Sequence, residues 1–141
     1  MEGWRFHAKD PYVGGGGSKV DRQWIFEERK SSLLATNMLL VRIVVGKVKD
    51  TDRLRSVLKE VPVVRGDPSW NCVEWVRTAL EALEADKGAM GTSQFDWGVI
   101  RETAMKYCRE KRDAGRFQSG TAYDTSRPPT FDLLEGKELL E

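Results

Sequence analysis

The sequence predicts an α+β domain, a small antiparallel sheet packed against about three helices, and three observations carry that expectation. Segments that alternate apolar and polar residues come early in the chain, from Trp4 to Ala8 and from Gln23 to Arg29. Segments with apolar residues three and four apart follow them, beginning near Asp50. The strands lead into a helix that opens on a cysteine, Cys72, which suggests a sheet packed against helices.

The elements follow in order. Trp4, Phe6 and Ala8 alternate with Arg5, His7 and Lys9, the period of a half-buried strand. Residues 10–22, with Gly14 to Gly17 followed by Ser18, read as a flexible glycine-rich loop. From Gln23 to Arg29, Trp24 and Phe26 share one strand face while Ile25 and Glu27 share the other. Met38 to Val48 is nearly continuous in apolar, β-branched character, which predicts a central strand covered on both faces. Asp50 or Thr51 opens a helix whose stripe is Leu54, Val57, Leu58 and Val61, and Pro62 ends it.

Val63 and Val64 then lead to a second helix, with Asp67 as N-cap, Pro68 at the first helical position and Ser69 as a further capping hydroxyl. It extends to about Asp86, and Cys72, Val76, Ala79, Leu80 and Leu83 form a stripe that turns Cys72 inward. Lys87, Gly88 and the stretch to Gly91 stop it. Thr92 or Ser93 is expected to cap a third helix carrying Trp97, Ile100, Ala104 and Tyr107 or Cys108, with a solvated charged end from Arg109 to Asp113. Residues 115–130 read as irregular, before a short docking segment with Phe131, Leu133, Leu134, Leu139 and Leu140. Residues 1–141 are expected to form a single domain.

Composition narrows the function classes. The 23 basic and 22 acidic residues leave a net charge of +1, so there is no long-range attraction to nucleic acid, and no nucleic-acid partner is expected. The most apolar run, from Met38, is interrupted by Arg42 and falls well short of the ~20 residues of a membrane span. No secretory signal is visible, and the two cysteines, Cys72 and Cys108, both fall in helical segments. A reduced, cytoplasmic protein is the simplest expectation. No cofactor and no metal site is suggested.

The residue with chemical potential is Cys72 at the mouth of a helix. A helix N-terminus carries roughly half a positive charge and favours a thiolate. A nucleophilic cysteine also needs a base, a group that orients the base, and donors for an oxyanion. His7 is the sole histidine, Glu27 lies on the same kind of position in the following strand and can orient an imidazole, and Asn71 can hold an oxyanion or cap its own helix. The alternative for each is ordinary: Cys72 as a small core residue, His7 facing water, Glu27 as a strand carboxylate, and Trp70 and Trp75 as packing anchors.

Asn71, Cys72, two further residues and then Val76 beside the aromatic Trp75 resemble the asparagine–cysteine helix start of the permuted papain-like superfamily. That superfamily includes the NlpC type of cysteine peptidase and the lecithin:retinol acyltransferase type. The chain is more closely similar to a group of small fungal proteins placed near it, over Gly3 to Ala8, Trp24 to Glu28, Leu39 to Val48, Arg53 to Trp75, Gly91 to Trp97 and Pro129 to Glu138. The resemblance implies a papain-like fold in which Cys72 forms an acyl-thioester with a small-molecule or peptide substrate, as a cysteine hydrolase or acyl transferase. It also implies a departure. The similar proteins carry one more strand ahead of the segment beginning here at Gly3, so the first strand is expected to be lacking and His7 to neighbour the usual histidine position. The acyltransferase motif has a histidine two residues after the cysteine, where this chain has Glu74. Two readings stay open: a cysteine-dependent enzyme, or a catalytically degenerate papain-like domain serving as a binding or accessory protein in fungal secondary metabolism or host interaction. A homodimer would cover a sheet edge left by a missing strand.

Overall fold

A computed structural model of the protein describes residues 2–10, 23–32 and 39–141, and the architecture is α+β. Its elements are β1 (Glu2–Lys9), β2 (Ile25–Ser32), β3 (Arg42–Val44), β4 (Gly46–Val48), α1 (Thr51–Glu60), α2 (Cys72–Asp86), β5 (Met90–Ser93), α3 (Trp97–Asp113), β6 (Thr130–Asp132) and β7 (Lys137–Leu140). Most of the glycine-rich loop expected over 10–22 lies outside the described residues. The chain forms two compact units, each built from separated stretches of sequence. One comprises residues 2–31 and 48–90, the other 32–47 and 91–141.

The first unit holds the β1–β2 pair and the helices α1 and α2. The helix α1 begins where Asp50 accepts the Arg53 backbone N–H at 3.0 Å, and it ends against Pro62. Its buried Leu58 lies on the stripe expected from the spacing. The start of α2 differs from the expectation. Asp67 does not cap it; its carboxylate accepts from the Ser69 N–H and hydroxyl at 2.9 and 2.6 Å, and its carbonyl from Trp70 N at 3.2 Å. The four residues from Asp67 thus close a β-turn with Pro68 at its second position, where a fixed φ is favoured. The helix starts later, at Cys72, with Asn71 accepting the Val73 and Glu74 N–H groups at 2.9 and 3.3 Å.

The inward stripe of α2 differs from the expectation as well. Trp75, Ala79 and Leu83 are buried at 2, 4 and 6 % exposure, whereas Cys72 and Val76 are exposed. The Trp75 ring lies 5.9 Å from that of Phe26 on β2, and α2 packs along β1. Just before the helix, Trp70 meets buried Trp24 edge-on at 5.7 Å. Trp70 and Trp75 are therefore packing anchors. The end of α2 is made by a lysine: Lys87 adopts φ 60° without being a glycine, while the Asp86 carboxylate accepts the Gly88 and Ala89 N–H groups, both at 3.1 Å. The same carboxylate receives the Arg53 guanidinium of α1 at 2.8 and 2.5 Å, which joins the two helices.

The second unit holds a three-stranded sheet in the order β3-β6-β7 and the helix α3. The long strand expected over Met38 to Val48 is instead two short ones that break at Val45, and Met38 itself lies outside the described residues. It is also not central. The edge strand β3 runs parallel to β6, its residues are half-buried, and Val48 of β4 is 50 % exposed. The interruption follows from pairing, since β3 joins β6 while β4 joins β5. That second pairing draws Thr92 and Ser93 into β5, so α3 is capped by Asp96, which accepts from Val99 N at 3.0 Å.

The terminal docking segment is a hairpin, with β6 antiparallel to β7. Asp132 accepts from Leu134 N at 2.8 Å, and Gly136 takes the positive φ of 67° that closes the turn. The irregular stretch before it is tied down by Arg116, which is only 4 % exposed. Its guanidinium donates to the carbonyls of Asp124, Arg127 and Glu141 at 2.6, 2.8 and 3.3 Å and lies over the Tyr123 ring. A planar fork suits this task.

Two outcomes follow. Arg116→Ala removes the buried guanidinium that ties three carbonyls together and is expected to lower the unfolding free energy in urea by about 2 kcal/mol, with Arg116→Lys restoring less than half of it. The Arg53 guanidinium holds the Asp86 carboxyl below its ordinary value, so the pair stabilises the fold above the usual aspartate range and that stabilisation fades as pH falls through the lowered value. Asp86→Asn should flatten the acid side of the curve of melting temperature against pH.

Candidate functional site

All four residues singled out from the sequence fall in the first unit, but they form two groups. Cys72 and Asn71 sit together at the start of α2 because Asn71 is the residue whose side chain turns the chain into the helix. Its carbonyl oxygen is engaged with two N–H groups of the first turn, which removes those donors from any oxyanion. Cys72 is exposed and carries a free thiol.

His7 and Glu27 make the second group, on β1 and β2. The His7 Nε2 lies 2.9 Å from Glu27 Oε1. An ionised carboxylate only accepts, so Nε2 carries the proton and donates it, and Nδ1 has no hydrogen-bond partner among the described residues. Lys9 donates to the other carboxylate oxygen at 3.3 Å, and the Arg29 guanidinium stands 3.9 Å from the first. The His7 hydrogen bond, with Lys9 adding to it, holds the Glu27 carboxyl below the ordinary glutamate range against the opposing effect of burial. Chemically this is a histidine oriented by a carboxylate, two of the three parts of a nucleophilic triad.

Strand alternation decides what the pair can reach. Successive side chains of a strand point to opposite faces. On β2, Phe26 packs on Trp75 of α2, and Glu28 receives Arg55 Nε at 2.5 Å and Lys59 Nζ at 3.6 Å from α1. On β1, Trp4 lies 4.4 Å beneath the Arg55 guanidinium. The even-numbered residues of both strands therefore face the helices. His7 and Glu27 are odd-numbered and occupy the face turned away from α1 and α2, whereas Cys72 belongs to α2. Among the described residues, neither ring nitrogen of His7 makes a hydrogen bond with Cys72.

The unit also has a groove of about 500 Å³ between α1 and α2, lined by Val57, Val61, Pro62, Thr78, Ala82 and Ala85 with the Arg53–Asp86 pair. Neither Cys72 nor His7 lines it. No group of three or more potential metal ligands is present among the described residues. Cys108, on α3 in the second unit, is half-buried with a free thiol. Lys9 and Arg29, which complete the charged cluster around Glu27, were legible only as the polar half of each strand's alternation; their convergence depends on which strands pair.

Among the described residues, no helix is long and apolar enough to cross a membrane. No curated protein and no solved structure matches the chain. A family of unknown function (DUF6914) matches residues 1–140, nearly the whole sequence, and the chain belongs to that family.

Proposed function

We propose that this chain is a papain-like domain that works as a binding or accessory protein in the cytoplasm, with the cysteine helix retained for structure. One observation supports this above the enzyme reading. The histidine and its carboxylate occupy the face of the β1–β2 pair away from the helices, while Cys72 starts a helix packed on the other face. A general base must come within hydrogen-bond reach of the proton it takes, directly or through one water. A hydrolase or acyl transferase acting through Cys72 would need the strand pair to present its other face.

The Asn71 side chain argues in the same direction, because it spends its acceptor on capping α2 and so behaves as a structural residue. The near balance of charge disfavours a nucleic-acid partner. The exposed thiol of Cys72 keeps the enzyme reading testable.

Iodoacetamide is expected to alkylate Cys72 in the folded protein at the same rate, within about twofold, in the wild type and in His7→Gln across pH 5 to 9. The chain is expected to give no stoichiometric burst of p-nitrophenol from p-nitrophenyl acetate, as followed by absorbance. A burst lost in Cys72→Ala, together with alkylation slowed about 100-fold or more by His7→Gln, would establish the cysteine enzyme instead.

A further inference from the structure

The face of the β1–β2 pair turned away from the helices carries Arg5, His7 and Lys9 from one strand and Ile25, Glu27 and Arg29 from the other. Three permanent cations thus share the face with one carboxylate, and that carboxylate is already engaged by His7, Lys9 and Arg29. The Arg5 side chain makes no ion pair or hydrogen bond among the described residues. Lys9 and Arg29 keep 44 and 57 % of their side-chain surface exposed, and Ile25 adds an apolar spot at 37 % exposure. The concentration is local, because the whole chain carries only +1.

We propose that this face binds an acidic peptide segment of a partner protein, its carboxylates on Arg5, Lys9 and Arg29 and an apolar side chain on Ile25. The inference rests on the binding reading above and gives it a surface and a class of partner. Charge complementarity selects the sign of the partner. The aromatic residues select its kind. Trp4, Phe6, Trp24 and Phe26 all fall on the opposite parity, so among the described residues this face offers no tryptophan, tyrosine or phenylalanine ring, and the one imidazole, His7, is engaged with Glu27; a single-stranded nucleic acid would find charge without a broad stacking platform. A carboxylate-bearing peptide needs no such platform. Arg5 and Arg29 can each take a carboxylate through two parallel N–H groups.

The test uses the full chain and fluorescence anisotropy of a fluorescein-labelled, glutamate-rich peptide with a central leucine, at about 25 and about 150 mM NaCl. Saturable binding is expected, weaker at the higher salt. The double substitution Arg5→Glu with Arg29→Glu should weaken it at least about tenfold, while Arg109→Glu, an exposed cation on α3, changes it by less than about twofold. Glu27→Gln removes the competing carboxylate and should tighten binding. Circular dichroism checks folding, and if the double variant is unfolded, Arg29→Glu alone carries the comparison. The proposal is overturned by absence of saturable binding, by an equal loss in Arg109→Glu, by weaker binding in Glu27→Gln, or by labelled oligothymidylate binding more tightly than the peptide. Each of these leaves the Cys72 alkylation result untouched, so failure of this surface and failure of the binding reading are separately visible.

Discussion

The packing of Trp75 against Phe26 is the constraint from which the first unit follows. Trp75 is 2 % exposed, and its large apolar surface must be covered. Covering it with Phe26 assigns a side to every residue of the strand pair, because strand side chains alternate without exception over so short a stretch. Trp24, Phe26 and Glu28 go to the helices; Ile25, Glu27 and Arg29 go the other way. One aromatic contact thereby determines that His7 and Cys72 belong to different surfaces. Among the described residues the buried Trp75 indole nitrogen has no hydrogen-bond partner, a cost accepted where the ring's burial outweighs it.

Much of this architecture was legible in the sequence, and the failures have a common cause. Period two over Trp4 to Lys9, the stripe of Leu54 and Leu58, and Asp50 as a cap are local signals that the structure keeps. Asp67 misled because aspartate before proline suits a turn as well as a helix start, and only the later Asn71, with two N–H groups to accept, separates the two. The later start leaves Cys72 as the first helical residue, with no turn before it, and the core stripe is Trp75, Ala79 and Leu83. The strand over Met38 to Val48 misled for a different reason. Its apolar character reports burial, but where a strand breaks depends on distant partners such as β6 and β5, which local pattern cannot name.

The candidate site was legible in part on the same terms. The odd-numbered parity of His7 and Glu27 could be read from the chain, and so could the capping role of Asn71. That His7 and Glu27 meet required the pairing of two strands separated by a glycine-rich stretch of sequence. That Cys72 is turned to solvent required the true start of α2. Arg116 shows the same limit outside the site: a lone arginine in a polar stretch carries no local sign that three carbonyls will close around it.

The two units are interleaved along the chain, since residues 32–47 of one separate the strand pair of the other from its helices. During synthesis, β1 and β2 leave the ribosome long before α2 exists to cover Trp24 and Phe26. At a few to some tens of residues per second, the pair waits for seconds with its aromatic face bare. Neither unit can close until a segment beyond its neighbour has been made, so the order of translation works against early, independent folding and favours late, concerted closure. A nascent chain with this layout keeps an aromatic strand face uncovered until α2 has emerged, and truncations short of that point would be expected to aggregate rather than to yield a working half.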